Sequence, residues 1–121
     1  MKREELRHQI WKKYNGHCAY CGKQIEYKDM QVDHVIPQAM LIYEPDKYTQ
    51  AQIYDISNLI PACKSCNHYK RSDDLEQFRR LMLTLHERII CDYISRVAID
   101  YGIIEVKPFE GKFYFEKINN L

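Results

Sequence analysis

The sequence predicts an α+β domain stapled by a zinc site, and three features of its 121 residues indicate this class. Two Cys-x-x-Cys pairs lie far apart in the chain, apolar residues recur at helical spacing near both ends, and β-forming residues cluster between the pairs. A chain of this length buries a modest core, so a structural metal adds needed stability. We therefore expect one domain over residues 1–121.

The paired cysteines predict a structural zinc site. Thiolates are preferred Zn²⁺ ligands, and two Cys-x-x-Cys pairs supply the four that a closed tetrahedral site needs. In a reducing compartment, five cysteines favour metal binding over disulfides. The fifth, Cys91, lies in an apolar helical stretch and is predicted to be a small buried hydrophobe. The predicted zinc ligands are Cys18, Cys21, Cys63 and Cys66.

The N-terminal half predicts two helices and two short strands. A helix is expected over residues 4–14, where apolar side chains form one stripe, and Asn15-Gly16 ends it. Residues 24–36 predict a hairpin-like pair of strands that Pro37 terminates. A second helix is expected over residues 66–71.

The C-terminal half predicts helix and then a hairpin. Apolar residues at alternating spacings of three and four predict helical structure from residue 73 to about residue 100. Alternation over residues 103–118, around a Pro-Phe-Glu-Gly turn, predicts a terminal hairpin. The helical stripe consists of Leu75, Phe78, Met82, Leu85 and Ile89.

Oxygen-bearing side chains near the cysteines indicate a second metal site. Carboxylate and carbonyl oxygens prefer hard ions such as Mg²⁺ or Mn²⁺, and imidazole is a natural general base near neutral pH. The candidates are Asp33-His34 and Asn67. Asn67 is preferred to His68 as a ligand because it shares a helix face with two cations, Lys70 and Arg71. The combination indicates metal-assisted hydrolysis.

The formal net charge of +1 does not favour nucleic acid, so any such binding requires a local basic face. Lys64, Lys70 and Arg71 form one candidate face, and Lys12 with Lys13 forms another. The alternative, that these are ordinary solvated side chains, stays open. The sequence contains no run of membrane-spanning length and begins unlike a signal peptide, so we expect a cytoplasmic protein without a membrane partner.

Four segments resemble the HNH endonucleases. They are Cys18-x-x-Cys21-Gly22, Val32-Asp33-His34-Val35-Ile36-Pro37, Asn58-Leu59-Ile60-Pro61-Ala62-Cys63 and Cys66-Asn67-x-x-Lys70. The resemblance covers a core of about residues 11–71 and implies a ββα-metal motif held by zinc. Residues 72–121 form a C-terminal extension without a counterpart.

The resemblance implies a role for each matching residue. His34 would be the general base, Asp33 and Asn67 would hold one Mg²⁺ or Mn²⁺, and Asn58 would brace the loop and help orient the histidine. Lys70 would contact a phosphate. The implied partner is DNA, which the enzyme would nick or cut through both strands, and a bacterial or phage origin is expected.

Two departures from the family pattern stand out: the third signature position is Asn67 rather than His, and the segment between the histidine and the asparagine differs, which affects the substrate groove. Many members carry a Gly-Gly pair between the histidine and the asparagine, whereas this chain has the tyrosine-rich residues 38–56. Packing under a long loop is preferred to base stacking for these tyrosines. Two other functions stay open: a non-catalytic zinc module that binds nucleic acid or protein, and a nuclease acting on RNA.

Overall fold

The computed structural model describes residues 2–119, and within them the chain forms eight α-helices and one two-stranded sheet. Two 3-10 turns, Tyr27–Asp29 and Ile56–Asn58, precede the two strands. The predicted α+β class is confirmed. The elements in chain order are α1 (Arg3–Lys12), β1 (Gln31–His34), α2 (Met40–Tyr43), α3 (Gln50–Ile53), β2 (Leu59–Ala62), α4 (Lys64–Lys70), α5 (Leu75–Leu83), α6 (Leu85–Ile90), α7 (Tyr93–Asp100) and α8 (Tyr114–Asn119).

Strand β1 pairs antiparallel with β2, and α4 follows β2 directly, which confirms the predicted ββα order. Asp33 lies opposite Ile60 and His34 opposite Leu59. The expected pair of strands within residues 24–36 is wrong. Only β1 forms there, because its hydrogen-bonding partner is β2, which follows in the chain after residues 35–58.

Helix α1 ends at Lys12, two residues before the predicted end, and the turn that follows contains the expected left-handed Asn15-Gly16. Asn15 and Gly16 have positive φ angles of 55° and 79°, and the Gly16 amide donates to the Trp11 carbonyl at 3.1 Å. Glycine adopts this backbone conformation without steric cost, so it suits a helix terminus. Lys13, one of the candidate basic residues, instead donates from Nζ to the carbonyls of Ile56 and Leu59, which ties the end of α1 to the start of β2.

Residues 113–115 pack on the first cysteine pair. The amides of Tyr114 and Phe115 donate to the carbonyls of Tyr20 and Ala19 at 3.0 and 2.8 Å, and Phe113 is buried against the Tyr20 ring. The chain then enters α8. The predicted terminal hairpin is therefore wrong, because the backbone amides that would pair with a second strand bond to the cysteine turn instead.

The described part of the chain divides into two compact units: residues 2–75 together with residues 113–119, and residues 76–112. The first unit contains the sheet and the cysteines. In the second, helical structure is interrupted at Thr84 and at Cys91-Asp92. Cys91 is exposed, so the expectation of a buried residue is wrong. No helix within residues 2–119 has the length and hydropathy needed to cross a bilayer.

Candidate metal centre and active site

The four paired cysteines lie together. Their sulfur atoms are all within 4.8 Å of one another, and the Cys21 and Cys63 sulfurs are 3.9 Å apart. Zinc–sulfur bonds of about 2.3 Å in a tetrahedral site place the sulfurs at roughly 3.8 Å from each other. The Cys63 amide donates to Cys18 Sγ and the Cys66 amide to Cys63 Sγ, at 3.3 and 3.4 Å. The cluster therefore fits a zinc ion.

The pKa values of three of these thiols are shifted by burial and by contacts within the cluster. A hydrogen bond with Cys66 lowers the pKa of the Cys18 thiol to about 4, whereas the same contact raises the pKa of Cys66. Burial raises the pKa of Cys21. Four thiolates repel one another at this separation, and a divalent ion compensates their charge. Cys18, Cys21, Cys63 and Cys66 would hold that ion and fix the fold around it.

Gly22 closes the first cysteine turn tightly. Its φ is +82°, and a Cβ atom there would lie 2.7 Å from the Tyr114 ring. The Tyr114 ring in turn stacks on His17 at 5.4 Å. A larger residue at position 22 is therefore excluded by both backbone conformation and packing.

Asp33 is a buried carboxylate with two donors. Its Oδ2 accepts from the Tyr20 hydroxyl and lies 3.1 Å from Lys70 Nζ. Lys70 has no exposed surface, and Tyr20 is 3% exposed. Burial and the nearby Asp33 charge raise the pKa of Tyr20, which keeps the hydroxyl protonated as a donor. Tyr20 was not identified from the sequence, where it is only the residue before Cys21.

His34 follows Asp33 at the end of β1 and is partly exposed. Its backbone carbonyl accepts from Lys70 Nζ at 3.1 Å, and its Nε2 lies 3.3 Å from the Gln38 amide nitrogen. An amide nitrogen can only donate, so Nε2 is the acceptor and is unprotonated in this arrangement. Burial lowers the pKa of His34, Lys70 lowers it further, and Asp33 acts in the opposite direction.

Asn58 holds the loop that follows His34. Its Oδ1 accepts from the Ile36 amide at 2.8 Å, and its Nδ2 donates to the carbonyls of Ile36 and Ile53 at 3.0 and 2.8 Å. Its own carbonyl accepts from the Val35 amide at 2.9 Å. The buried asparagine thus satisfies backbone groups that the sheet leaves unpaired after β1 ends.

One cavity of about 450 Å³ brings together the residues with the expected metal and base chemistry. Asp33 and His34 reach it from β1, and Asn67 reaches it from α4. A carboxylate, an amide and an unprotonated imidazole can together bind a hard cation and accept a proton. The cavity is lined by Val32, Asp33, His34, Pro37, Gln38, Ala39, Asn67, Arg71 and Ser72.

The three expected nucleic-acid contacts occupy different places. Arg71 lines this cavity and is exposed, whereas Lys64 lines a separate cavity with Lys23 and Gln24. Lys70 is fully buried, so the expectation that it contacts a phosphate is wrong. The reason is that its ammonium group pairs with Asp33 inside the protein, which helical spacing alone does not predict.

A second cavity of about 710 Å³ adjoins the first, since Val32, His34 and Gln38 line both. Tyr54 is 52% exposed there and meets the His34 ring edge-on, with the ring centroids 5.6 Å apart. Arg3 and Arg7 line the same cavity. Packing was the preferred role for the tyrosines of residues 38–56, but Tyr43 and Tyr54 are both largely exposed, so for these two that expectation is wrong.

Part of this chain is similar to known proteins. Residues 18–73 match the family model for HNH endonucleases. A 64-residue stretch is 31% identical to "CRISPR-associated endonuclease Cas9" of Corynebacterium diphtheriae, covering 53% of this chain and 5% of that protein. A 65-residue stretch is 37% identical to "SPbeta prophage-derived putative HNH endonuclease YoqL" of Bacillus subtilis, covering 54% of this chain and 27% of that protein.

Among solved structures, the crystal structure of the Type II-C Cas9 enzyme from Actinomyces naeslundii is similar to 62% of this chain and 8% of its own, with 25% identity and a TM-score of 0.49. The chain thus spans only a small part of each of these larger proteins. The matched segment contains all four clustered cysteines as well as Asp33, His34, Asn58 and Asn67. The predicted resemblance to the HNH endonucleases is confirmed over residues 18–73, the part of the chain that matches their family model.

Proposed function

We propose that this chain is a metal-dependent endonuclease that hydrolyses phosphodiester bonds of DNA. The observation that carries the proposal is the shared cavity of Asp33, His34 and Asn67 beside the cysteine-stapled sheet. The family match and the two endonuclease relatives support the same chemistry.

In this proposal Asp33 and Asn67 hold one Mg²⁺ or Mn²⁺ through oxygen atoms. When bound, such an ion stabilises the charge that develops on the phosphoryl and leaving oxygens during hydrolysis. The asparagine contributes a neutral oxygen, which suits a hard ion with several remaining water or phosphate ligands.

His34 is the proposed general base. Its lowered pKa keeps the imidazole neutral at physiological pH, so that it can accept a proton from the attacking water. The 3.3 Å contact with Gln38 is long for a hydrogen bond, and a water molecule can replace it at Nε2. Asn58 supports the base indirectly, because it fixes the backbone two residues beyond His34.

Arg71 and Tyr54 lie where a nucleic-acid strand would pass. Arg71 offers a guanidinium group to a phosphate in the first cavity, and Tyr54 offers an exposed ring to a base or sugar in the second. Because His34 lines both cavities, a strand that crosses it would place a phosphodiester near the proposed base. Lys64 remains a candidate for a more distant phosphate contact. A bacterial cytoplasmic location is part of the proposal, and the bacterial and prophage origins of the two relatives support it.

A plasmid assay tests the proposal. Zinc-loaded protein is incubated with supercoiled DNA in Mg²⁺, Mn²⁺ or EDTA, and we expect nicked or linear product only with the divalent ions. Slowed DNA migration without any cut in either metal would instead support the non-catalytic zinc module. A parallel series with single-stranded DNA and RNA distinguishes a DNA enzyme from one that prefers RNA.

A further inference from the structure

Two buried donors converge on a single oxygen of Asp33. The Tyr20 hydroxyl and the Lys70 ammonium both contact Oδ2, and within residues 2–119 no hydrogen bond reaches Oδ1. Both donor side chains are almost completely enclosed. A carboxylate held in this way cannot rotate freely, so its two oxygens are not equivalent toward a ligand in the cavity.

Tyr20 has a fixed position because of where it lies in the chain. It stands between Ala19 and Cys21 in the first cysteine turn, whose Cys18 carbonyl accepts from the Gly22 amide at 2.9 Å. Its carbonyl accepts from the Tyr114 amide at 3.0 Å, and its ring packs edge-on against Phe113 at 5.3 Å. The backbone that carries the hydroxyl is thus held by the cysteine cluster on one side and by the C-terminal segment on the other.

We propose that Tyr20 is a positioning residue for the divalent ion: together with Lys70 it fixes Asp33 Oδ2, so that Oδ1 is the one oxygen that Asp33 offers to the ion. The cysteine cluster then does more than stabilise the fold, because its first turn sets the orientation of a ligand in the second metal site. This inference rests on the proposed function, since it requires that Asp33 binds a divalent ion. Donors that orient a metal ligand without touching the metal commonly govern affinity.

A direct measurement of Mn²⁺ binding tests the inference without DNA and without catalysis. Zinc-loaded wild type, Tyr20→Phe and Tyr114→Phe are titrated with Mn²⁺, and free Mn²⁺ is followed by electron paramagnetic resonance. Tyr114 is the matched control, because its ring packs on the same turn beside Gly22 while its hydroxyl bonds to none of the described residues. Zinc content is measured for all three proteins.

We expect Tyr20→Phe to bind Mn²⁺ about 10- to 100-fold more weakly at unchanged zinc content, and Tyr114→Phe to bind like wild type. If wild type binds Mn²⁺ and Tyr20→Phe binds it equally well, the inference is overturned while the proposed function stands. If wild type itself binds no Mn²⁺ at the oxygen site, the proposed function and the inference both fail.

Lys70→Arg provides a second variant should Tyr20→Phe lose zinc or fail to fold. It retains the positive charge but places a larger, planar group in a fully enclosed space, so Oδ2 is held differently while the net charge near the site is unchanged. Weaker Mn²⁺ binding by at least about tenfold supports the inference. Unchanged Mn²⁺ affinity in this variant overturns it.

Discussion

Lys70 and Asp33 form an ion pair inside the protein, with 3.1 Å between Nζ and Oδ2 and no exposed surface on the lysine. Removing one partner of a buried pair leaves the other charge uncompensated, at a cost of about 3–5 kcal/mol. Lys70→Met is therefore expected to lower the free energy of unfolding by that amount, measured by urea denaturation of the zinc-loaded protein. Lys64→Met, on the exposed side of the same helix, should change it by less than about 0.5 kcal/mol. Equal effects of the two substitutions would contradict the buried pair.

The cysteine cluster predicts one tightly held zinc ion per chain. Cys21→Ser removes one of four ligands and should abolish zinc retention after dialysis, together with most of the cooperative thermal transition, because structural zinc binding supplies about 10–16 kcal/mol. Cys91→Ser is the matched control, since Cys91 is exposed and outside the cluster. Elemental analysis and circular dichroism measure both effects. Wild-type zinc content in Cys21→Ser would refute the four-cysteine site.

Arg71 has an unfavourable backbone conformation and lines the candidate cavity. Its φ is 56° and its ψ is −128°, a region that favours glycine and costs other residues about 1–3 kcal/mol. After allowing for the greater flexibility of unfolded glycine, Arg71→Gly should raise the free energy of unfolding by about 1 kcal/mol, while it weakens DNA binding and cleavage. Arg71→Lys, which keeps a cation, should leave stability near wild type and retain more of the binding. A less stable Arg71→Gly protein would contradict this account of the strain.

The pH dependence of cleavage should report His34. A neutral base is required, and burial together with Lys70 lowers the pKa of His34 below its usual 6.5, outweighing Asp33. A divalent ion bound nearby would lower it further. Cleavage at saturating Mg²⁺ should therefore persist as pH falls to 6.5 and decline only below it. Initial rates from pH 5 to 9 measure this, and an acid limb centred above 6.5 would be inconsistent with His34 as the base.

Residue spacing predicts some features of this fold, whereas long-range packing determines others. Cysteine spacing predicts the cluster because each Cys-x-x-Cys turn presents two thiolates and a closed zinc site needs four. Asn15-Gly16 predicts the end of α1 because glycine suits a helix terminus. The partner of β1 was missed because pairing between distant segments leaves no local signal. Helix periodicity correctly put Asn67 and Lys70 on α4, but the expectation that Arg71 shares their helix face is wrong, because the helix ends at Lys70 and Arg71 has a positive φ. Only the tertiary fold shows that Lys70 turns inward to a buried carboxylate.

The terminal segment illustrates the same limit. Phe113 and Phe115 alternate with polar neighbours as strand residues do, but the amides of residues 114 and 115 bond to the cysteine turn, and α8 follows. The sequence gives no indication that Tyr20 contacts Asp33, since a tyrosine next to a metal-binding cysteine is equally compatible with simple packing. Its contact with Asp33 depends on how the first cysteine turn meets β1.

The most direct test of the central claim compares plasmid cleavage by wild type, His34→Ala and His68→Ala in Mg²⁺. His68 is an exposed histidine on α4 and does not line the 450 Å³ cavity, which makes it the control for loss of an imidazole. We predict that His34→Ala cuts about 10²- to 10⁴-fold more slowly with unchanged zinc content and DNA affinity, while His68→Ala cuts like wild type. Equal cleavage rates for His34→Ala and wild type would contradict the account.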